Sequence, residues 1–486
     1  MKPHVIVIMA DQLRADVLGK GLTPNIDSIA EEGARFNRAY CSCPLCVPSR
    51  GSLFTGTYPN TNGSLINPWE PADAACGDVK MGIANLYELL EDDWEGIHSG
   101  KQHLFTEGGK LEDRPDSKIR WLTTEKTYAA YLKENGKKAP GGPGFRMRVP
   151  EMVGGKITRV SNYSNANTGC YEEGEAFYFD RYFADKALEG LRDREGKKPL
   201  FLSAMFLAPH PPLHIPQPWY GLLTPEEVRL PENVGVFYPN QSPLQMYNLT
   251  GVVGAAYGRQ EWKEAWRVYL GLVAMLDACV GQILDELKAQ GIYEESLIVF
   301  TSDHGEMLGS HGLFQKMCMY EESARTPLYI KFPKGFPLSK QVFEKTVGQV
   351  DLLPTLCDYL GLHPENAMDG RSLMPLLEGR EEDAGGEAFI QYDGNGSCSN
   401  FQRCIVKDGW KLIVDMFKDE AFFELYDLEN DPQETENRMF SGDQDARALK
   451  LWEILGSYMR RTGDRLRLPA LDPEAFRRTY AAFPCQ

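Results

Sequence analysis

Apolar residues recur along this chain in two rhythms, and the rhythms predict its elements. Val5 to Met9 is an unbroken apolar run, the pattern of a strand buried on both faces, and Asp11 and Gln12 follow at its end. Gly96-Ile97-His98-Ser99 predicts a second strand, which ends at Gly100-Lys101-Gln102-His103. Leu200 to Leu207 predicts a third, ending at Ala208-Pro209-His210-Pro211. Leu297 to Thr301 predicts a fourth, ending at Ser302-Asp303-His304-Gly305, and Leu328-Tyr329-Ile330 fits a further short strand. The other rhythm is helical. Trp262, Trp266, Tyr269, Val273, Leu276, Val280, Ile283 and Leu287 alternate by four and three, a sustained stripe that Gly291 stops. A shorter helix is expected from Thr23-Pro24 through Ile29 and Ala30. Residues 105–170 and 211–258 show weak periodicity and many Gly and Pro, and are read as loops.

Strands alternating with helices imply an α/β fold: a mostly parallel central sheet covered by helices on both faces. Each of the four long strands ends in a residue capable of chemistry: Asp11, Lys101, His210 and Asp303. Open parallel sheets bind ligands at the carboxyl ends of their strands, so four strands aim at one crevice.

Composition shifts at Glu378-Gly379-Arg380-Glu381-Glu382-Asp383, and the expected boundary follows from it. Residues 1–380 form the expected catalytic domain, and 381–486 a smaller C-terminal α+β domain. In the latter Cys404–Val406, Lys411–Val414 and Glu424–Leu428 predict strands, and a final helix covers about Ala446–Met459. The length suits one large domain plus a small one. A formal net charge of −17 argues against nucleic-acid binding as the main task. The run at Val5–Met9 is too short for a signal peptide or a membrane span. Eleven cysteines without disulfide-like pairing fit reduced thiols, so a cytoplasmic location and no membrane partner are expected.

Residues 46–56 carry the chemistry: Cys46-Val47-Pro48-Ser49-Arg50, then Thr55-Gly56. This string resembles the signature of formylglycine-dependent sulfatases, and the fold that the resemblance implies is that of the alkaline phosphatase superfamily. In that family the cysteine is oxidised to an aldehyde by a formylglycine-generating or anaerobic sulfatase-maturating enzyme. The hydrated aldehyde is the nucleophile, one difficult step being split into two. The resemblance extends to Gly100-Lys101-Gln102-His103, to Pro209-His210-Pro211 and to Leu313-Phe314-Gln315-Lys316. It implies that Lys101, His210 and Lys316 contact the sulfate or leaving oxygen, that His103 contacts the nucleophile, and that Arg50 holds it. His214 competes with His210 for that place, and His311 stands near Lys316.

Asp11, Gln12, Asp303 and His304 resemble the family's ligands for one divalent cation. The commonest pattern there is Asp-Asp and Asp-Asn, whereas this chain has Asp-Gln and Asp-His. Calcium is the family's ion; the imidazole brings manganese or magnesium into consideration. The implied substrate is a small sulfate monoester, with a carbohydrate or aryl O-sulfate as first expectation. Arg146, Arg148, Lys156 and Arg159 offer charge for an acidic sugar. Two other readings stay open. Gln12 and His304 resemble the metal site of phosphonate monoester and phosphodiester hydrolases of the same superfamily. Cys41, Cys43 and Cys46 together could instead make a non-catalytic thiol–metal protein, although no second ligand pair stands nearby.

Overall fold

Along β1 (His4–Asp11), Ile6, Ile8 and Ala10 point into one hydrophobic core while Val5, Val7 and Met9 point into another. A period of two with both sets apolar requires cover on both faces, as the continuous run predicts. The computed structural model describes residues 2–68, 75–153, 156–380, 386–395 and 400–480. The remaining strands of the central sheet and the ribbon beside it are β2 (Ala34–Tyr40), β3 (Glu95–Gly100), β4 (Arg120–Thr123), β5 (Arg146–Val153), β6 (Lys156–Ser164), β7 (Leu200–Pro209), β8 (Ser296–Ser302), β9 (Arg325–Lys331) and β10 (Val342–Phe343).

The central sheet runs β10-β2-β9-β8-β1-β7-β3-β4, and Val347–Gly348 adds a ninth strand beside β2. Strand β9 is antiparallel to both neighbours, and the other pairings are parallel. Helices α1 (Pro24–Glu31), α2 (Cys46–Thr55), α3 (Glu125–Glu134), α4 (Phe179–Arg192), α5 (Arg259–Ala289) and α6 (Leu352–Leu360) accompany it. Buried residues of α1, α4 and α5 join one core and those of α2 and α6 the other, so both faces are covered. By length and composition α5 could cross a membrane, but 78% of its most apolar window is buried inside the protein, where it serves as the core helix of one face.

The reading of 105–170 as loops was wrong. Strand β4 extends the sheet, α3 packs outside it, and β5 and β6 form an antiparallel ribbon. These elements escaped notice because they bury little: α3 hides only Tyr128 and Leu132, too narrow a stripe to register. Arg146, Arg148 and Lys156 lie exposed on that ribbon; the side chain of Arg159 lies outside the described residues. Residues 211–258 are largely irregular, with a short strand at Leu213–Ile215 and a short helix at Leu249–Gly254.

A second sheet, antiparallel, follows: β11 (Glu387–Tyr392), β12 (Phe401–Lys407), β13 (Trp410–Phe417) and β14 (Glu420–Asp427). One face, including Ile405, Leu412 and Val414, packs on α7 (Asp445–Arg461). The other, including Cys404, Val406 and Ile413, joins the core beneath the large sheet. Most of the acidic stretch expected at the boundary, residues 381–385, lies outside the described residues.

Candidate active site

Four neighbouring strands, β8-β1-β7-β3, deliver their carboxyl ends to one place. Register carries this out: Met9 pairs with Met205 and Thr301, and Met205 pairs with Gly100. The residues just beyond, Asp11, Lys101, His210 and Asp303, therefore emerge side by side. Gly100 sits at φ 111°, and a Cβ there would lie 1.8 Å from the Met205 carbonyl oxygen, so only glycine lets the chain turn Lys101 inward.

Helix α2 starts at Cys46 and supplies the fifth side. Its N-terminus has no side-chain cap, and it stops at Gly56 in the left-handed conformation, φ 66°. The helix is buried along its whole length, which forces its polar groups to find partners inside. Ser49 Oγ donates to the Asp303 carbonyl oxygen at 2.5 Å. Arg50, one turn after Cys46, is the hub. Its Nε donates to Asp303 Oδ2 at 3.0 Å, its Nη2 to Asp11 Oδ2 at 3.1 Å and its Nη1 to the Lys101 carbonyl at 2.7 Å. The planar guanidinium thus holds two carboxylates and one strand end in a single orientation.

Cys46 Sγ lies 3.2 Å from His304 Nε2, 3.8 Å from Lys101 Nζ and 3.9 Å from Asp11 Oδ1. Burial and Asp11 push its pKa up, but Lys101, Lys316 and His304 together bring it below the ordinary thiol value. Its neighbours Cys41 and Cys43 behave oppositely, both pushed far up by burial. Asp11 is ionised: burial opposes this, yet Lys101 above all, with Arg50 and His304, holds its pKa well below the carboxylate range. Lys101 Nζ donates to Asp11 Oδ2 at 2.5 Å. Burial would lower the Lys101 pKa, and Asp11 and Cys46 raise it further than burial lowers it.

Ligand-type atoms of Asp11, Cys46, Asp303 and His304 lie within 4.8 Å of one another, all on buried residues. The donor set fits a divalent cation. Arg50 occupies Oδ2 of both carboxylates, while Asp11 Oδ1 lies 3.9 Å from Cys46 Sγ and Asp303 Oδ1 lies 3.6 Å from His304 Nε2. His304 Nδ1–H donates to the Gly305 carbonyl at 3.0 Å, which aims Nε2 at Cys46 and would leave that nitrogen to a metal once it is deprotonated, the arrangement usual for a metal-ligating imidazole. Gln12 stands at the edge of this set with φ 66°. Its backbone N–H reaches Asp303 Oδ1 at 3.1 Å, its Oε1 accepts from Lys316 Nζ at 2.6 Å, and its Nε2 donates to Glu306. Neither Cys41 nor Cys43 belongs to a metal-type cluster among the described residues.

His210 and Lys316 meet across the crevice, Nε2 to Nζ, at 3.1 Å. Both nitrogens of the competitor His214 are used elsewhere, on the Gly141 N–H at 2.8 Å and the Cys170 carbonyl at 3.0 Å. His103 is the outlier of the expected set. Its Nε2 donates to Glu125 Oε2 at 2.9 Å, and no hydrogen bond joins it to Cys46 among the described residues. Among the described residues its Nδ1 is buried without a hydrogen-bond partner, on the side not taken by Glu125. His311 is not in the crevice; it stacks on Tyr320 near the second sheet. Sequence reasoning missed Glu306, which holds Gln12, and Glu125, which holds His103. Both are isolated acids in stretches without a recognisable pattern.

The sulfatase family profile matches residues 3–362, and that of the N-sulphoglucosamine sulphohydrolase C-terminal region matches residues 309–460. An arylsulfatase of Clostridium perfringens is 28% identical over 94% of this chain and 94% of its own length. An N-acetylglucosamine-6-O-sulfatase of Bacteroides thetaiotaomicron is 25% identical over 93% of this chain and 86% of its own. In fold the chain resembles the phosphonate monoester hydrolase of Silicibacter pomeroyi, with a TM-score of 0.76, 22% identity and 96% of each chain covered.

Proposed function

The chain belongs to the sulfatase family of sulfuric ester hydrolases, and from that premise we propose that it hydrolyses a sulfate monoester, a sulfated saccharide first, with residue 46 as nucleophile after oxidation to formylglycine. The observation that carries this reading is the position of Cys46 Sγ, at the start of α2 and in contact with His304, Lys101 and Asp11. The two sugar-sulfatase resemblances support the saccharide.

When formed by a maturating enzyme, the hydrated aldehyde supplies one hydroxyl for attack on sulfur and a second whose deprotonation releases sulfate and restores the aldehyde. Asp11, Gln12, Asp303 and His304 would hold a divalent cation, which would supply positive charge for the sulfate oxygens and acidify a neighbouring hydroxyl. The chain's own residues do the rest. Arg50 fixes both Asp11 and Asp303 in place and helps keep Asp11 ionised. Lys101, 3.8 Å from Sγ, is placed to bind the transferred group. Lys316, held beside Gln12 and His210, gives a proton to the bridging oxygen as the S–O bond breaks, where charge grows most in the transition state.

A second reading keeps a specific observation in its favour. Gln12 and His304 leave two carboxylates beside the nucleophile, a less negative site that tolerates extra negative charge on substrate oxygens. A phosphoryl side activity is therefore expected. The deciding experiment compares nitrophenyl sulfate, a phenylphosphonate monoester and bis-nitrophenyl phosphate on enzyme verified to carry formylglycine. The sulfate should lead in kcat/KM. A second ester arm would displace one charged contact, worth about 1.5–3 kcal/mol or roughly ten- to a hundredfold. A lead for either phosphorus ester transfers the assignment to a phosphonate or phosphodiester hydrolase.

A further inference from the structure

Glu306 lies fully buried behind the crevice, and three N–H groups meet its carboxyl. Oε1 accepts from the main-chain N–H of Leu308 at 2.9 Å and from that of Gln315 at 2.5 Å. Oε2 accepts from Gln12 Nε2. Burial pushes the Glu306 pKa up, but each of these groups is a donor, so a proton on the carboxyl would have no acceptor among the described residues. The main chain here is pinned as well: Arg14 Nη1 donates to the carbonyl oxygens of Glu306 and Met307 at 3.1 and 3.0 Å.

The Gln12 side chain passes this arrangement on. An ammonium only donates, so the Gln12 atom that meets Lys316 Nζ at 2.6 Å is the amide oxygen, and the amide nitrogen is turned to Glu306. Lys316 donates in turn to His210 Nε2 at 3.1 Å, because the His210 Nδ1–H is committed to the Pro211 carbonyl at 2.5 Å. Glu306, Gln12, Lys316 and His210 therefore form one hydrogen-bonded chain with a single sense. The acceptor-only carboxylate sets that sense at one end, and the Pro211 carbonyl sets it at the other. Two of the three ammonium N–H groups are used inside the chain, which leaves one for a ligand. Gln315 adds a second tie. It precedes Lys316 directly, and its N–H is one of the two that Oε1 holds.

We propose that Glu306 is the positioning residue of the proton donor: it fixes the sense of the Gln12 amide and the placement of Lys316, and through them the N–H that meets the leaving oxygen. A neutral amide at position 306 cannot do this. It has one oxygen where two are needed, since the backbone N–H groups and Gln12 Nε2 sit on different oxygens. If its oxygen stays with Leu308 and Gln315, its NH2 faces that of Gln12, and Gln12 must reverse and turn an NH2 toward the Lys316 ammonium. If its oxygen turns to Gln12, the segment from Leu308 to Gln315 loses its anchor. Lys316 is displaced either way, because buried donors left facing each other are costly. What Lys316 does to a substrate rests on the sulfatase reading; the sense of the chain does not.

Three measurements on the full-length protein test this. Neutron diffraction from deuterated wild-type crystals, with residue 46 still cysteine, should show the Gln12 ND2 group against Glu306, three deuterons on Lys316 Nζ and none on the Glu306 carboxyl. This needs no variant to fold. A reversed Gln12 amide or a deuterated Glu306 overturns the proposal. Crystals of Glu306→Gln should show Lys316 Nζ out of hydrogen-bond reach of residue 12. Adding Gln12→Glu should bring it back, since the amide at 306 can then give its NH2 to a carboxylate at 12. Lys316 unmoved in the single variant, or still displaced in the double variant, overturns the proposal equally. On enzyme verified to carry formylglycine, Glu306→Gln should lose part of the roughly 10²–10⁴-fold worth of a positioned acid. The loss should fall on kcat rather than KM and be larger for alkyl than for nitrophenyl sulfates. An equal loss for both esters would mark a merely structural role and overturn the positioning one. Wild-type enzyme with no sulfate-ester turnover would sink the sulfatase reading, while the two diffraction measurements still decide this one.

Discussion

Lys316 Nζ lies 3.1 Å from His210 Nε2, and only one of the two nitrogens can bring the proton. The imidazole Nδ1–H is committed to the Pro211 carbonyl at 2.5 Å. Burial and then Lys316 hold the His210 pKa well below its ordinary value. His210 is therefore neutral and accepts at Nε2, and the ammonium of Lys316 is the proton donor that faces the crevice.

From this pair follows a split between two variants. Lys316→Ala should lose roughly 10²–10⁴-fold in kcat/KM, the usual worth of a positioned acid, with a larger loss for alkyl than for nitrophenyl sulfates. His210→Gln should lose less and should lose it equally for both leaving groups. Leaving-group dependence in His210→Gln but not in Lys316→Ala would reverse the roles.

Residue 46 should carry an aldehyde in active protein. Mass spectrometry of the tryptic peptide should show conversion in proportion to turnover across preparations from hosts with and without a maturating enzyme. Cys46→Ala should be inert in all of them. Full turnover by protein shown to contain only cysteine would refute formylglycine chemistry.

Asp303→Ala should abolish activity, lose the catalytic cation and destabilise the fold together. It strips Arg50 Nε of its partner at 3.0 Å in a place closed to solvent, where both side chains are fully buried. Breaking one side of a buried ion pair costs about 3–5 kcal/mol. Asp303→Asn keeps an acceptor for Arg50 and should recover much of the stability, measured by thermal unfolding, without recovering activity.

Stability should also depend on pH through Asp180. Its Oδ1 accepts from the Leu207 and Ala208 N–H groups at 2.6 and 3.0 Å, just ahead of His210, while Oδ2 is buried and has no hydrogen-bond partner among the described residues. Burial raises its pKa to about 7. A raised carboxyl pKa means that the folded state binds the proton more tightly than the unfolded one. The contribution is complete below about pH 4 and is lost as pH rises through 7. Asp180→Asn cannot ionise, so relative to wild type it should gain stability between pH 4 and 7, by up to about 3–4 kcal/mol. A stability difference flat across that range would show that Asp180 stays charged.

Much of the architecture could be read from local pattern, and the reason is physical. A strand buried on both faces needs an unbroken apolar run, so β1, β7 and β8 announce themselves, and the residue that ends each run must stand at the sheet's edge. Helix α5 buries a broad stripe, and its period of four and three survives any tertiary arrangement. The string from Cys46 to Arg50 is equally local, since one helical turn places both side chains on one crevice. What the sequence determined by itself was therefore the elements with large one-dimensional signals and the strand-end residues Asp11, Lys101, His210 and Asp303.

Only the tertiary structure decided the partners. Arg50 meets Asp303 across 253 positions and Gln12 meets Glu306 across 294, and no local spacing encodes either. That His210 meets Lys316 while His214 spends both nitrogens on backbone is likewise a matter of contacts between distant positions. His103 turned to Glu125 because α3, almost invisible in the sequence, packs beside β4 and brings that carboxylate in. The antiparallel course of β9 likewise carries no mark in Leu328-Tyr329-Ile330, since a run buried on both faces reads the same in either direction. Apolar burial is a property of single positions and leaves a trace in the chain. A hydrogen bond or ion pair is a property of two positions, and folding alone chooses the second.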